Sequence, residues 1–457
     1  MFEKNIHFVG IGGSGMSGIA QLLFEKGHIV SGSDLKKSSI TSKLRQRGIQ
    51  IYIGHHRENI GKAELVIFSS AVPSDNPELV AAREKKLRII KRGKALAELM
   101  QEKLGIAIAG SHGKTITSSM IAFMLVAAGK DPTVIIGGES NDLQGSARLG
   151  QGKYLVAEAD ESDGSFLMLS PKIAVITNVE ADHLDYYKDL KEIITTFEKF
   201  SRNVSADGIL ICSASVVEKV LLGGKKIASN LLVYGIDNDK ADFTAQEIIL
   251  SGVGSQYRAF YHGKDLGDVR LHIPGMHNVY NSLAAVAVGM KMGISFGDIA
   301  LALACFSGVR RRFELKGEVE GVMLIDDYAH HPTEIKAVLS TAQKLRRRII
   351  AVFQPHRFTR TNSLKESFAD SFTAADFLIV TEIYSAGEKE IKGVTGRTIF
   401  DLIEQKEKVF ISNRLEIGSY LMKIIKPGDL LITIGAGDIT ELNEEMIRRL
   451  KTSYEDV

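Results

Sequence analysis

The string Gly110-Ser111-His112-Gly113-Lys114-Thr115 carries the residue types of a phosphate-binding turn. Backbone N–H groups of a Gly-rich turn, with a helix N-terminus behind them, form a nest for phosphate oxygens. A lysine in Lys114's place reaches the outer phosphates, and a hydroxyl in Thr115's place holds Mg2+. Only two residues separate Gly110 from Gly113, so the spacing departs from the usual G-x-x-x-x-G-K-[ST]. The bland alternative is a strand-to-helix turn with a surface lysine. Further on, Glu158-Ala-Asp160-Glu161-Ser-Asp163 and Asn178-Val-Glu-Ala-Asp182-His183-Leu-Asp185 each close an apolar run. Hard cations take carboxylate oxygens, substrate phosphates and sometimes one imidazole. Alone, the acidic cluster reads as a solvated loop and His183 as a structural histidine. Beside a phosphate turn, the same residues read as ligands for metal and triphosphate.

Other strings offer recognition chemistry. Asn278 and Asn281 stand three apart at a helix start and share a face, where amides suit an adenine edge, a phosphate or simply a cap. Arg310-Arg311-Arg312 lies at a change of motif, where a guanidinium can close on a transferring phosphate. Asp326-Asp327-Tyr-Ala-His330-His331-Pro332 follows a strand, and so does Gln354-Pro-His-Arg357-Phe-Thr-Arg360, whose arginines form a fork for a carboxylate. Arg346-Arg347-Arg348 reads as a helix end and takes no role. At the N-terminus, Gly10-Ile-Gly12-Gly13-Ser14-Gly15 with Asp34 matches a dinucleotide fingerprint. That nest serves any nucleotide diphosphate, so an NAD-dependent dehydrogenase is one rival reading and a non-catalytic nucleotide-binding regulator another.

These strings need strand ends and helix starts to hold them, and the chain supplies both. Short apolar runs alternate with helical patterns, the rhythm of βαβ units with buried parallel strands. The strands are expected at 6–9, 28–31, 65–69 and 88–90, then 105–109, 154–157 and 173–177, then 322–325, 348–353, 377–381 and 430–434. Helices are expected at 16–26, 118–128 and 278–292, and an antiparallel patch over 241–273. A chain of 457 residues predicts about three domains. The changes of motif place them at 1–97, 98–306 and 307–457. The fold class is α/β. Composition is ordinary for a globular protein, with 44% hydrophobic and 25% charged residues. A net charge of +2 gives no global reason to expect nucleic acid or a membrane surface as partner. No run reaches the ~20 apolar residues of a membrane span, and the start lacks a signal-peptide pattern, so a cytoplasmic location is expected. Cys212 and Cys305 sit in apolar stretches and are expected as reduced core thiols.

Gly110–Thr115, the Asp182-His183 strand end, His277–Asn281 and the Arg312/Asp327 region, in this order, resemble the Mur ligases of peptidoglycan synthesis. Gly10-Ile-Gly-Gly-Ser-Gly-Met, Glu158-Ala-Asp-Glu-Ser-Asp, Asp327-Tyr-Ala-His-His-Pro-Thr-Glu and Gln354-Pro-His-Arg-Phe-Thr-Arg resemble the branch that adds the first amino acid. The resemblance spans nearly the whole chain. It implies a Rossmann-like N-terminal domain for a UDP-sugar, a central P-loop ATPase-type domain with antiparallel strands added to its parallel sheet, and a Rossmann-like C-terminal domain that closes over the site. It implies ATP and two Mg2+, with UDP-N-acetylmuramate and L-alanine as substrates. The nearest rival branch attaches a ready-made murein tripeptide to the same sugar.

The implied roles follow residue by residue. Gly110, Ser111, His112, Gly113 and Lys114 surround the β- and γ-phosphates. Thr115 and Glu158 hold one Mg2+ and His183 the second. Asn278 and Asn281 contact ATP, Arg312 approaches the γ-phosphate, and Asp327 meets the ribose. His330, Arg357 and Arg360 belong to the substrate site, with the two arginines on the alanine carboxylate. Gly12, Gly13, Ser14 and Gly15 line the UDP-sugar diphosphate, with Asp34, His55, Ser69 and Ser70 nearby. Several relatives carry a carbamoylated lysine after the Asp-His pair. Here that stretch reads Thr196-Phe-Glu198-Lys199-Phe200, and Glu198 offers an acid that needs no modification.

Overall fold

The computed structural model describes residues 2–221, 230–238 and 240–455. Three sheets follow one another along the chain. The first holds β1 (Asn5–Val9), β2 (Ile29–Asp34), β3 (Gln50–Ile53), β4 (Leu65–Phe68) and β5 (Arg88–Lys91), all parallel, in the order β3-β2-β1-β4-β5. The order reverses at β1, so a crevice opens beyond its carboxyl end. Gly10–Gly15 lie there.

The second sheet holds β6 (Leu104–Ala109), β7 (Thr133–Ser140), β8 (Gly145–Arg148), β9 (Tyr154–Glu158), β10 (Ile173–Ile176), β11 (Ile209–Ser213), β12 (Leu231–Ile236), β13 (Phe243–Leu250), β14 (Ser255–Tyr261) and β15 (Lys264–Leu271). Its order is β15-β14-β13-β12-β11-β10-β6-β9-β7-β8. β6 sits between β10 and β9 and is parallel to both, which puts a second switch point at the phosphate turn. β13, β14 and β15 pair antiparallel, as the pattern over 241–273 predicts. The third sheet holds β16 (Glu314–Val319), β17 (Val322–Asp327), β18 (Ile349–Phe353), β19 (Phe377–Val380), β20 (Lys408–Phe410) and β21 (Leu430–Ile434), in the order β16-β17-β21-β18-β19-β20. Only β16 is antiparallel. The architecture is three α/β units, Rossmann-like at both ends.

The hydrophobic cores divide the chain differently. One cluster joins Phe8, Ile19 and Leu22 of the first unit to Ile135, Ala147, Phe166 and Phe197 of the second. Gly18 lies at this contact, where a Cβ would meet Ile135 at 3.4 Å and Ala147 at 3.5 Å, ordinary van der Waals distances. The third unit has its own cores, one on each face of its sheet, built around Ile325, Phe353 and Ile432 and around Leu324, Ile350 and Met446.

Two expectations are corrected. The helix expected from 118 runs Lys114–Ala127, so it starts directly on the phosphate turn. Cys212 is buried, but Cys305 is exposed and is not a core thiol. Both are free. Among the described residues, no helix is long and apolar enough to cross a membrane.

Candidate active site

The phosphate turn is fixed from the side by β10. Gly110 has φ +136°, and a Cβ there would lie 2.0 Å from Thr177 Oγ1. The Asn178 side chain accepts the His112 N–H at 2.9 Å and donates to the His112 carbonyl at 2.9 Å. Ser111 Oγ accepts the Glu180 N–H at 2.9 Å. Gly113, at φ +82°, is the N-cap of the helix that Lys114 opens, and no side chain caps that helix end. Its first N–H groups are left for an anion.

Lys114, Glu158, Glu161 and His183 form one continuous set. Lys114 Nζ donates to the Gly110 carbonyl at 2.5 Å and to Glu161 Oε1 at 2.7 Å. The same Glu161 oxygen is 3.6 Å from His183 Nε2. On the other side, Thr115 Oγ1 donates to Glu158 Oε2 at 3.3 Å, and the Gly137 N–H of β7 donates to Glu158 Oε1 at 2.5 Å. Burial works against the Lys114 ammonium, but Glu161, Asp160 and Glu158 outweigh it and keep its pKa raised. Glu161 is the more deeply buried partner, and burial pushes its carboxyl up to about 7 against the pull of Lys114. Burial lowers His183, leaving the neutral imidazole that binds metals. Glu161 Oε2 is buried and has no hydrogen-bond partner. Hydroxyl, carboxylate and imidazole are donor types that hard divalent cations take together with phosphate oxygens, although among the described residues the only His/Cys/Asp/Glu trio within mutual ligand distance is His112, Glu180 and His331.

A cavity of ≈ 450 Å³ opens beside this set. Asn278 and Asn281 line it, as do Tyr234, Arg312 and Asp327. The two asparagines share a helix face as their spacing predicts, and Asn281 Nδ2 donates to Asn278 Oδ1 at 3.2 Å. Asp327 accepts the Phe313 and Ala329 N–H groups, each at 2.7 Å, and burial pushes its carboxyl up to about 6. Of the arginine run, only Arg312 faces the cavity, with its guanidinium 5.3 Å over the Tyr328 ring. Arg310 pairs with Glu139 at 3.0 Å and Arg311 with Asp326 at 3.2 Å.

The third unit meets the second along a polar seam. Arg360 is buried and lies 3.4 Å from Asp182, while half-exposed Arg357 lies 3.5 Å from Asp185. The expected fork is therefore split between two carboxylates of the second unit. A small cavity of ≈ 10 Å³ lies between these arginines and His183. His330 sits behind, its ring 5.8 Å from that of His356. Burial, helped by Arg360, pushes His330 down to about 3.

In the first unit, the Gly12 N–H donates to Asp34 Oδ2 at 2.8 Å, and the Gly10 and Ile11 N–H groups donate to the Ser33 carbonyl. A Cβ at Gly12 would stand 2.8 Å from Asp34 Oδ2, so a side chain there would displace the carboxylate that accepts the Gly12 N–H. Ser69 packs on Gly10, and Ser70 is exposed. His55 Nδ1 lies 3.0 Å from Ser33 Oγ and 3.2 Å from buried Glu78. Burial works against the Glu78 carboxylate, but His7, Ser33 and Asn59 hold it down at about 2. A cleft of ≈ 470 Å³ runs from Ser14 to Gly137 and Gly138, and Gly137 is the residue bonded to Glu158. The cleft through Gly137 and the nucleotide cavity through Thr115 are thus each lined by a residue that hydrogen-bonds Glu158. Lys199 is exposed, and Glu198 pairs with Arg202 along their own helix.

Sequence reasoning assigned no role to Glu180, Glu334 or Arg92. Burial works against charge on His112, but the carboxylates of Glu180, 3.5 Å away, and of Glu334, hydrogen-bonded at 3.1 Å, raise its pKa to about 10. Arg92 lies 2.8 Å from Asp160, tying the end of the first unit to the acidic cluster. Glu180 and Glu334 both stand inside strings singled out above. Their signal was position beside a site residue, and it did not say which partner each would meet.

Three family models match the chain in succession. They are the Mur ligase family catalytic domain over residues 5–104, the Mur ligase middle domain over 108–289, and the Mur ligase glutamate ligase domain over 311–437. The chain is 48% identical to the UDP-N-acetylmuramate--L-alanine ligase of Geotalea daltonii, covering 98% of each chain. It is 47% identical to the enzyme of the same name from Pelotomaculum thermopropionicum, again over 98% of each. Among solved structures, the UDP-N-acetylmuramate-alanine ligase of Thermotoga maritima is similar with a TM-score of 0.84, at 33% identity, covering 98% of this chain and 99% of that one. A murein peptide ligase from Psychrobacter arcticus is similar with a TM-score of 0.75, at 27% identity, over 98% and 99%.

Proposed function

Because the chain belongs to the Mur ligase family, we propose that it joins L-alanine to the lactyl carboxylate of UDP-N-acetylmuramate in an ATP-dependent reaction that releases ADP and phosphate. The carrying observation is the unbroken set Glu158, Thr115, Lys114, Glu161 and His183, placed between a nucleotide-sized cavity and the cleft that leads to the Gly12 turn.

A carboxylate is a poor electrophile and must be activated before an amine attacks it. The lactyl carboxylate attacks the γ-phosphorus of ATP, ADP leaves, and an acyl phosphate forms. The neutral amine of L-alanine attacks the acyl carbon, and the tetrahedral intermediate collapses with loss of phosphate. ATP occupies the cavity beside Asn278, Asn281 and Asp327, with its phosphates in the nest Gly110–Thr115. Lys114 neutralises the outer phosphates, and Arg312 reaches them from the third unit. Charge placed in advance where it develops is worth on the order of 3 kcal/mol per donor. Bound Mg2+, held by Thr115 and Glu158 with His183 at a second ion, supplies Lewis-acid stabilisation of the transferring phosphoryl oxygens. Gly12, Gly13, Ser14 and Gly15 take the UDP diphosphate. Arg357 and Arg360 take the alanine carboxylate, and the seam between the units keeps water from the acyl phosphate.

A single small amino acid rather than a murein tripeptide is taken as the nucleophile because the relatives at 48% and 47% identity are both named UDP-N-acetylmuramate--L-alanine ligase. Phosphate release measured with ATP, Mg2+ and UDP-N-acetylmuramate against L-alanine, L-serine, glycine and the tripeptide tests this. The reading expects release with L-alanine. Release with the tripeptide alone would move the chain to the recycling branch, and no release with any of them would end the ligase reading.

A further inference from the structure

Glu334 has no part in the reaction as written, yet it is among the best-connected side chains at the seam. It is the third residue of the helix Pro332–Gln343 and lies partly buried at the seam, its side chain 12% exposed. Its two oxygens do different things. Oε2 accepts the His330 N–H at 3.1 Å and lies 3.6 Å from the His330 ring nitrogen, which is local work at a helix start. Oε1 turns the other way. It lies 3.1 Å from His112 Nδ1 and 3.8 Å from Arg312. Capping the helix explains the first oxygen and leaves the second unexplained.

His112 is the third residue of the phosphate turn, so its backbone is part of the nest itself. Its other ring nitrogen faces Glu180 at 3.5 Å. Glu180 in turn accepts from Thr333 Oγ1 at 2.8 Å, and His331 Nε2 lies 3.3 Å from the Ala181 carbonyl. The imidazole of His112 is therefore held between one carboxylate from its own unit and one from the third unit. The same carboxylate of the third unit touches the arginine aimed at the nucleotide and the histidine behind the alanine site.

We infer that Glu334 is a positioning residue that registers Arg312 and His330 on the phosphate turn through His112, so that seating the third unit and assembling the transfer site are one event. This rests on the ligase reading above. The contact to His112 exists only when the units are together, whereas the contact to Arg312 lies within the third unit and carries that arginine along with Glu334. Charge-assisted hydrogen bonds of this kind bias such an equilibrium by roughly tenfold to a hundredfold. The effect belongs to the assembled complex, so it falls on turnover more than on ATP capture, which Lys114 and the turn perform within the second unit.

The test uses the full-length protein with ATP, Mg2+, UDP-N-acetylmuramate and L-alanine. Glu334→Gln keeps an acceptor for the helix start but removes the charge. Its kcat is expected to fall roughly tenfold to a hundredfold, with a smaller change in KM for ATP and an unchanged midpoint of thermal unfolding. His112→Asn should lose a similar factor, and the double variant should be no slower than the slower single one. Should Glu334→Gln fold poorly, His112→Asn and Glu334→Asp carry the same comparison. Small-angle scattering with a non-hydrolysable ATP analogue and the UDP-sugar should show the wild type contracting and Glu334→Gln remaining extended. Wild-type kcat in Glu334→Gln, or losses that multiply in the double variant, would overturn the inference while leaving the ligase reading intact. A wild type that releases no phosphate with these substrates would instead bring down the reading beneath it.

Discussion

Replacing Lys114 by Met separates catalysis from stability at one atom. The ammonium donates to two carbonyls of its own turn and to Glu161 Oε1. Glu161 is 2% exposed, and its second oxygen already lacks a partner. Removing the cation leaves a buried carboxyl without its counter-charge; already raised to about 7, it takes up a proton, so the loss is up to about 3 kcal/mol and is largest above about pH 7. In a unit of this size, about 3 kcal/mol lowers the melting midpoint by about 6–12 °C. Turnover should fall at least about a hundredfold, because the donor to the outer phosphates is gone. Adding Glu161→Gln removes the stranded charge, so the double variant should recover most of the midpoint and none of the activity. Calorimetry of the nucleotide-free protein and a coupled phosphate assay measure the two quantities independently. Wild-type turnover in Lys114→Met would refute the phosphate-turn role. A double variant no more stable than the single one would refute the buried-pair account.

Other changes have distinct signatures. Gly113→Ala places a Cβ 2.5 Å from Asn281 Oδ1 at φ +82°, so ATP-dependent phosphate release should collapse while the far-ultraviolet circular dichroism stays native. Arg357→Ala should raise KM for L-alanine far more than KM for ATP, with little change in melting, because Arg357 is half-exposed. Arg360→Ala should do the same and also destabilise the protein by about 3 kcal/mol, because buried Asp182 loses its cation. Glu78 is held at about 2 against an ordinary 4.5. Its contribution is therefore present above about pH 4.5 and is lost as pH falls through about 2. Glu78→Gln should flatten that acid limb in a pH series of melting curves.

Much of the site was legible because it is written locally. A strand, a Gly-rich turn and a helix are contiguous, so the turn is placed at a strand's carboxyl end, while the switch point at β6 comes from strand pairing that the rhythm does not encode. The helix start at Lys114 was hidden because Thr115, Ile116 and Thr117 are β-branched and read as unhelical, while the turn that fixes the start is tertiary. Cys305 misled because apolar composition is not a face. In the helix Phe296–Cys305, Ile299, Ala302 and Leu303 are buried, while Leu301 and Cys305 point outward. The short edge strand Lys408–Phe410 offers only three half-buried residues to a periodicity argument. The pairing of His112 with Glu334 spans 222 residues, and no local pattern encodes it.

The cores give the molecule an asymmetric build. Hydrocarbon welds the first unit to the second, so the nucleotide shelf and the sugar-diphosphate shelf ride on one body. The third unit is a jaw fastened mainly by ions, with Leu184 among the few apolar side chains reaching it from the body. Opening the jaw wets charges that water accepts readily. Prying the first two units apart would bare oil. Added salt should therefore loosen the jaw long before it disturbs the body.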